Sequence, residues 1–84
     1  MESIRIRLKL FSIAKDLAGF DEKTIDLPLG SRSDAVLEHL IRQNPLFETW
    51  KPSLRVAVNM LYDDSQRPLA NGDEVAVIPP VSGG

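Results

Sequence analysis

The strict alternation of apolar and basic residues near the N-terminus limits the fold more than any other feature of the sequence. Residues 4–10 read Ile-Arg-Ile-Arg-Leu-Lys-Leu. A period of two places successive side chains on opposite faces of a β-strand, so one face is buried. We expect the basic face, Arg5, Arg7 and Lys9, to be solvated. A chain of 84 residues buries only about 60–65% of its unfolded surface. This is enough for one sheet with one packed helix, without a deep active-site cavity.

The next segment predicts a short helix and a second strand. Residues 12–18 suit a helix with Ser12 as its N-cap and Gly19 as its stop. Residues 23–27 alternate again, and Pro28 ends the pattern. Because the two strands are close in sequence, we expect them to pair antiparallel.

A longer helix follows. Ser31 and Asp34 match a variant of the capping box, in which the carboxylate reaches back to the backbone N–H of the cap. Residues 35–41 then carry a helical apolar stripe. Asn44-Pro45 should end the helix, because proline disfavours the helical conformation of its predecessor.

The C-terminal half predicts a connecting loop and two further strands. Residues 46–53 are less patterned and are expected to be the loop, whereas 54–59 and 74–78 are rich in β-formers. Turn-forming residues fill 63–68 and 71–73. The order β, short α, β, α, β, turn, β predicts an α+β, ubiquitin-like β-grasp domain. Its main helix would pack on one face of a mixed sheet.

Composition excludes several classes of function. The net charge is −2, which gives no basic surface for nucleic acid, and no apolar run approaches the ~20 residues needed to span a membrane. The N-terminus lacks the apolar stretch of a signal peptide, so a cytoplasmic location is expected. The sequence has no cysteine and one histidine, His39, which excludes disulfides, thiol chemistry and a zinc site. We expect His39 to be a surface residue and the protein to hold no metal.

The last six residues are unlike the rest of the chain. They read Pro-Pro-Val-Ser-Gly-Gly, and they cannot continue a sheet, because prolines lack a donor and glycines lose the most entropy on ordering. We therefore divide the chain into a domain of residues 1–78 and an extended C-terminal tail of residues 79–84, about 20 Å long when stretched. Two terminal glycines occur by chance about once in two hundred chains, so the ending is suggestive rather than decisive by itself.

Glycines at the tip of such a tail favour access to a narrow site. Without a Cβ, the backbone of Gly83 and Gly84 can pass through a channel that excludes side chains. Adenylation by ATP would activate the terminal carboxylate, and attack by sulfide on the acyl-adenylate would leave a thiocarboxylate. A protein without cysteine can carry reactive sulfur in this form.

Three segments resemble the small, sulfur-carrier subunit of molybdopterin synthase. They are residues 68–84, which end Ile-Pro-Pro-Val-Ser-Gly-Gly, residues 10–19 and the Ala57-Val58-Asn59 strand. The resemblance implies that Gly84 is adenylated and thiocarboxylated by a ubiquitin-activating-like adenylyltransferase with a sulfurtransferase. ATP is consumed by that enzyme, and no cofactor is bound permanently.

The same resemblance implies the partners and the reaction. The thiocarboxylated subunit would dock on the large synthase subunit and insert its tail into the partner's active site. There it would donate sulfur to a cyclic pyranopterin precursor, and two donations would complete the dithiolene. The family forms heterotetramers, with one small subunit at each end of a large-subunit dimer, and the small subunit is not expected to be catalytic alone.

The family also places apolar partner contacts around the base of the tail. They correspond to Phe11, Ile78, Pro79, Pro80, Val81 and Ser82. Some relatives carry an aromatic residue at the position of Ile78, and this sequence departs from them there. Plain core packing is the alternative interpretation for both Phe11 and Ile78.

Two other functions share the same early chemistry. A sulfur carrier for the thiazole of thiamine would also end in Gly-Gly, although such chains are usually shorter and lack the Ile-Pro-Pro-Val-Ser exit. A ubiquitin-like modifier would be joined to target lysines through Gly84. The sequence leaves this last alternative open, because the acyl-adenylate is common to both routes.

Overall fold

The computed structural model describes residues 2–62 and 68–79. Within these residues, eight helices and strands follow one another, and a 3-10 turn over Lys51–Ser53 precedes the third strand. The elements are β1 (Ser3–Leu10), α1 (Ile13–Ala18), β2 (Glu22–Pro28), α2 (Ser33–Gln43), α3 (Leu46–Trp50), β3 (Arg55–Val58), β4 (Leu61–Tyr62) and β5 (Glu74–Ile78).

The strands form one mixed sheet in the order β2-β1-β5-β3-β4. β1 pairs antiparallel with β2, as the sequence predicts, and parallel with β5, where Leu10 lies beside Val77. β5 pairs antiparallel with β3, where Ile78 lies beside Arg55. The predicted α+β, ubiquitin-like β-grasp architecture is confirmed.

The alternation in β1 produces the predicted two-faced strand. Ile4, Ile6, Leu8 and Leu10 are at most 3% exposed, whereas the basic residues between them face outward. The buried side chains of the strands share one core cluster with three residues of α2, Val36, Leu37 and Leu40. The opposite face of the sheet, formed by the alternate residues of each strand, is called the open face below.

The segment predicted to be a loop is instead helical. α3 occupies Leu46–Trp50 because Asn44-Pro45 both ends α2 and starts the next helix. The Asn44 side-chain oxygen accepts a hydrogen bond from the backbone N–H of Leu46 (3.1 Å), and proline has a φ that suits the first helical turn. Phe47, which is 1% exposed, anchors α3 in the core. The sequence also failed to predict β4, which has only two residues.

The predicted side-chain caps of both helices are wrong, although the predicted ends are correct. α2 starts after Arg32 without a side-chain cap. Ser31 lies before the helix, and its backbone carbonyl accepts a hydrogen bond from the N–H of Leu69 (2.7 Å). Ser12 occupies the N-cap position of α1 but its hydroxyl makes no cap hydrogen bond. Gly19 ends α1 in the left-handed conformation (φ 85°), as expected.

Candidate functional site

The edge of the sheet from which the chain leaves β5 also holds the end of β1. Parallel strands have their C-terminal ends at the same edge, and the register places Leu10 beside Val77. Phe11 and Ile78 each follow this last registered pair by one residue, so we infer that they lie at the same level. Because β3 is antiparallel to β5 and starts at Arg55, its first residue lies at this edge too. We call this the exit edge.

Phe11 is a surface residue at the exit edge. Its side chain is 48% exposed and does not belong to the core cluster. The alternative that Phe11 packs in the core is therefore wrong. Ile78 is half-buried, and alternation along β5 puts it on the open face with Glu74 and Ala76. Pro79, also half-buried, follows directly, whereas Pro80, Val81, Ser82, Gly83 and Gly84 lie outside the described residues.

Ion pairs run along β1 on the open face, from Arg5 to Lys9 near the exit edge. The Arg5 guanidinium contacts the Asp26 carboxylate at 2.9 Å, Arg7 contacts Glu22 at 3.5 Å, and Lys9 contacts Glu74 at 3.0 Å. The predicted solvated basic stripe of β1 is therefore exposed but neutralised by acids on both neighbouring strands. Exposed pairs such as these contribute at most about 1 kcal/mol each, so their main effect is on the charge of the surface.

The charge pattern leaves the open face with two distinct regions. Its charged region consists of the three basic residues of β1 and their acidic partners. Its second region holds the apolar side chains Phe11, Ala76 and Ile78, flanked by Lys9 beside Ala76 and Arg55 beside Ile78, and lies next to the start of the tail. The hydrogen bond from Arg5 lowers the pKa of the Asp26 carboxyl, so this carboxylate keeps its charge to a lower pH than an unpaired aspartate. An apolar patch beside a neutralised surface suits a protein partner.

A shallow depression of about 300 Å³ adjoins Phe11. It is lined by Lys9, Leu10, Phe11, Ser12, Lys15, Asp21 and Glu22. The backbone of Ser12 has φ 53° and ψ −126°, a conformation that favours glycine. Sequence reasoning missed this feature, because serine at a helix start is ordinarily a cap in extended conformation.

Other titratable residues give no sign of a catalytic centre in the described parts of the chain. His39 is half-buried on α2, and its pKa is lowered by burial and by the positive charges of Arg42 and Lys23. No group of three or more His, Cys, Asp or Glu side chains is arranged to hold a metal ion in residues 2–62 and 68–79. Among the helices of that same portion, none has the length and apolarity required to cross a membrane.

Comparison with known proteins identifies the family. The family model described as the ThiS family matches residues 8–84. The chain belongs to the ThiS family. A curated relative, the molybdopterin synthase sulfur carrier subunit of Arabidopsis thaliana, is 33% identical over 82 residues, covering 98% of this chain and 85% of its own. The resemblance predicted from the sequence is thereby confirmed.

Several solved structures have the same fold as this chain. A putative molybdopterin converting factor subunit 1 from Pyrococcus furiosus superposes with a TM-score of 0.82 at 30% identity, covering 93% of this chain and 99% of its own. SAMP1 from Haloferax volcanii gives 0.81 at 26% identity, with 95% and 99% covered. A chain in a complex of subunits 1 and 2 of the molybdopterin-converting factor from Helicobacter pylori shares the fold alone, at 21% identity, 96% and 100% coverage and a TM-score of 0.63.

Proposed function

We propose that this protein is the sulfur-carrier subunit of a molybdopterin synthase and that its sulfur is carried on Gly84. The observation that carries the proposal is the family membership, with a curated relative of that name aligned over nearly the whole chain. The sequence agrees with it chemically, because it has no cysteine and its last two residues are glycines. A terminal thiocarboxylate would provide the sulfur nucleophile that the side chains do not.

The proposed reaction proceeds in three steps at the C-terminal carboxyl group. The Gly84 carboxylate attacks the α-phosphorus of ATP on an adenylyltransferase, and pyrophosphate leaves. Sulfide, free or released from the persulfide of a sulfurtransferase by a thiol reductant, then attacks the acyl carbon and displaces AMP, which leaves the thiocarboxylate. The thiocarboxylate sulfur then attacks a carbon of the pterin precursor and displaces an oxygen leaving group from that carbon. Water attacks the acyl carbon of Gly84, the acyl C–S bond breaks so that the sulfur stays on the precursor, and the carboxylate is regenerated.

The first test is the intact mass of the protein after incubation with ATP, its adenylyltransferase and a sulfur donor. We expect a mass gain equal to the exchange of one oxygen for one sulfur, located on Gly84 by fragmentation. A parallel incubation without ATP should leave the mass unchanged. If the ATP reaction gives no such gain under conditions in which a known carrier is converted, the proposed function is wrong.

The exit edge is the surface on which we propose the large subunit docks. An apolar patch around Phe11 and Ile78 at the base of the tail would guide the tail into the partner's active site, and the synthase would be a heterotetramer. Pro79, Pro80, Val81 and Ser82 would contact the partner along the way to Gly83 and Gly84. The described residues of this subunit offer only shallow depressions, so the large subunit would supply the pterin site.

We expect Phe11→Ala to weaken binding to the large subunit by about 10- to 100-fold, because exposed aromatic residues at the centre of an interface contribute about 1.4–2.8 kcal/mol or more. Its effect on the free energy of unfolding should stay below about 1 kcal/mol, since the ring is 48% exposed. Calorimetric titration and thermal unfolding measure the two quantities separately.

Leu29→Ala is the matched control for the Phe11 variant. Leu29 is 58% exposed, but it lies at the opposite end of the sheet, where its N–H bonds to the carbonyl of Glu2. The control should bind the large subunit as the wild type does. Equal weakening by both substitutions, or none by Phe11→Ala, would remove Phe11 from the proposed docking surface.

A second candidate function is protein modification through Gly84. It is favoured by the likeness to SAMP1 from Haloferax volcanii, and a structure named small archaeal modifier protein 1 from the same organism shares the fold. The acyl-adenylate is shared by both routes, so one chain can serve both. Mass spectrometry of cell extracts would detect Gly84 linked to lysines of other proteins.

A sulfur carrier for the thiazole of thiamine is the remaining alternative. It is tested by measuring thiazole production in cells that lack this protein.

A further inference from the structure

Two non-glycine residues other than asparagine have a positive φ in the described structure. They are Ser12 (φ 53°) and Met60 (φ 72°). Such backbone costs energy for residues with a Cβ, and strained residues cluster where function requires a fixed geometry. The two positions differ in one respect. Ser12 lies at the exit edge beside Phe11, whereas Met60 lies at the opposite end of β3, beyond the Val58–Val75 pair.

The side chain of Ser12 does not explain why serine occupies this strained position. Its hydroxyl makes no cap hydrogen bond and has no other hydrogen-bond partner among the described residues. The hydrogen bonds of this turn are made by the backbone. The Ser12 carbonyl accepts from the N–H of Asp16, and the Phe11 carbonyl accepts from the N–H of Ala14, both at 3.1 Å. Glycine would make the same bonds without strain.

The Ser12 backbone determines where Phe11 is presented. The turn from Phe11 to Ala14 redirects the chain from β1 into α1, and it leaves the Phe11 ring exposed and level with Ile78. A residue with a Cβ has far fewer backbone conformations than glycine. Serine at this junction therefore restricts the motion of Phe11 more than glycine would.

We propose that Ser12 is a positioning residue, whose Cβ-restricted backbone holds Phe11 ready for docking at a cost in stability. The proposal rests on the proposed function, in which Phe11 contacts the large subunit. A partner that binds an already ordered aromatic ring loses less conformational entropy on association. Strain at Ser12 is thus tied to affinity rather than to the stability of the domain.

The test compares Ser12→Gly with Met60→Gly, which also replaces a residue of positive φ, at the far end of the sheet. Both variants should unfold at a temperature roughly 4–8 °C above the wild type. Only Ser12→Gly should weaken binding to the large subunit, by about three- to tenfold. A residue with a merely structural role would not raise stability and lower affinity together.

Ser12→Ala distinguishes the effect of the restricted backbone on binding from the effect of the hydroxyl group, because alanine keeps the Cβ and removes the oxygen. It should bind the large subunit within about twofold of the wild type. Equal weakening by Ser12→Ala and Ser12→Gly would mean that the hydroxyl contacts the partner, and wild-type affinity of Ser12→Gly would mean that the strain has no part in docking. Either result would overturn the proposal.

A measurement on the isolated subunit keeps this proposal distinct from the proposed function. NMR order parameters report the fast motion of Phe11 without any partner. We expect lower order at Phe11 in Ser12→Gly than in the wild type and unchanged order in Met60→Gly. Unchanged order in Ser12→Gly would overturn the positioning role, whereas failure of the wild type to bind any large subunit would overturn the proposed function.

Discussion

Removal of Gly84 should abolish sulfur transfer while leaving the domain folded. β5 ends at Ile78, six residues before Gly84, and among the described residues the core cluster has no member beyond Val77. We therefore expect the deletion to leave the core intact. It does withdraw the acyl carbon by about 3.5 Å. A displacement of about 1 Å can already cost a factor of 100 in rate, so we expect no measurable molybdopterin.

The matching measurements are molybdopterin formed by the reconstituted synthase, thermal unfolding, and binding to the large subunit. A chain extended by one residue after Gly84 serves as the second variant, because it keeps both glycines but moves the carboxylate away from its place. Both variants should unfold at the wild-type temperature and bind the large subunit through Phe11 and Ile78. Normal molybdopterin production by either variant would exclude Gly84 as the sulfur-bearing residue.

The elements with strong periodicity could be predicted from the sequence, and those set by local hydrogen bonding could not. β1 was predictable because its alternation extends over seven residues, and β5 because its β-formers end at proline. α3 was missed because five residues do not establish a helical period. Its start depends on the Asn44 side chain, and its burial depends on Phe47 alone.

The candidate site also has features that the sequence predicts and features that only the tertiary structure reveals. The sequence predicts that Phe11 matters but leaves open whether it is a core or a surface residue, because it directly follows the buried Leu10. Only the parallel pairing of β1 with β5 brings Phe11 to the level of Ile78. The strain at Ser12 is a tertiary effect as well, since the sequence around it is that of an ordinary helix start.

Asn59 illustrates a structural role that its place in the sequence does not reveal. Its left-handed backbone (φ 51°) is one that asparagine tolerates well. Its side-chain Nδ2 donates to Asp73 Oδ1 at 2.9 Å, and its Oδ1 accepts from the Glu74 N–H at 3.0 Å. Asp73 Oδ2 also accepts from the N–H of Ala70 at 2.8 Å. This amide therefore joins the turn after β3 to the turn before β5, and it uses both its donor and its acceptor.

We expect Asn59→Asp to lower the free energy of unfolding by about 2–4 kcal/mol at neutral pH. The substitution replaces a donor to a charged group, worth about 1.5–3 kcal/mol, with a second carboxylate facing Asp73. Like charges raise the pKa of the introduced carboxyl group in the folded state above its unfolded value of about 3.9. The loss is therefore complete above the folded pKa and shrinks as the pH falls below it, because the protonated group can again donate.

Asn71→Asp is the control that isolates this donor. Within residues 2–62 and 68–79, the Asn71 side chain bonds through its oxygen alone, which accepts from the backbone N–H of Arg5 at 2.8 Å, and aspartate keeps that oxygen. Chemical denaturation between about pH 4 and pH 7 should show a small change in the Asn71 variant. The Asn59 variant should have a deficit that grows with pH. Similar deficits in both variants, or a deficit independent of pH in Asn59→Asp, would mean that the Asn59–Asp73 contact does not stabilise the two turns. The fixed pair of turns matters for the site because the backbone carbonyl of Asp73 accepts a hydrogen bond from the N–H of Arg7 in β1 at 2.9 Å. It thereby sets the β1–β5 register that brings Phe11 and Ile78 together.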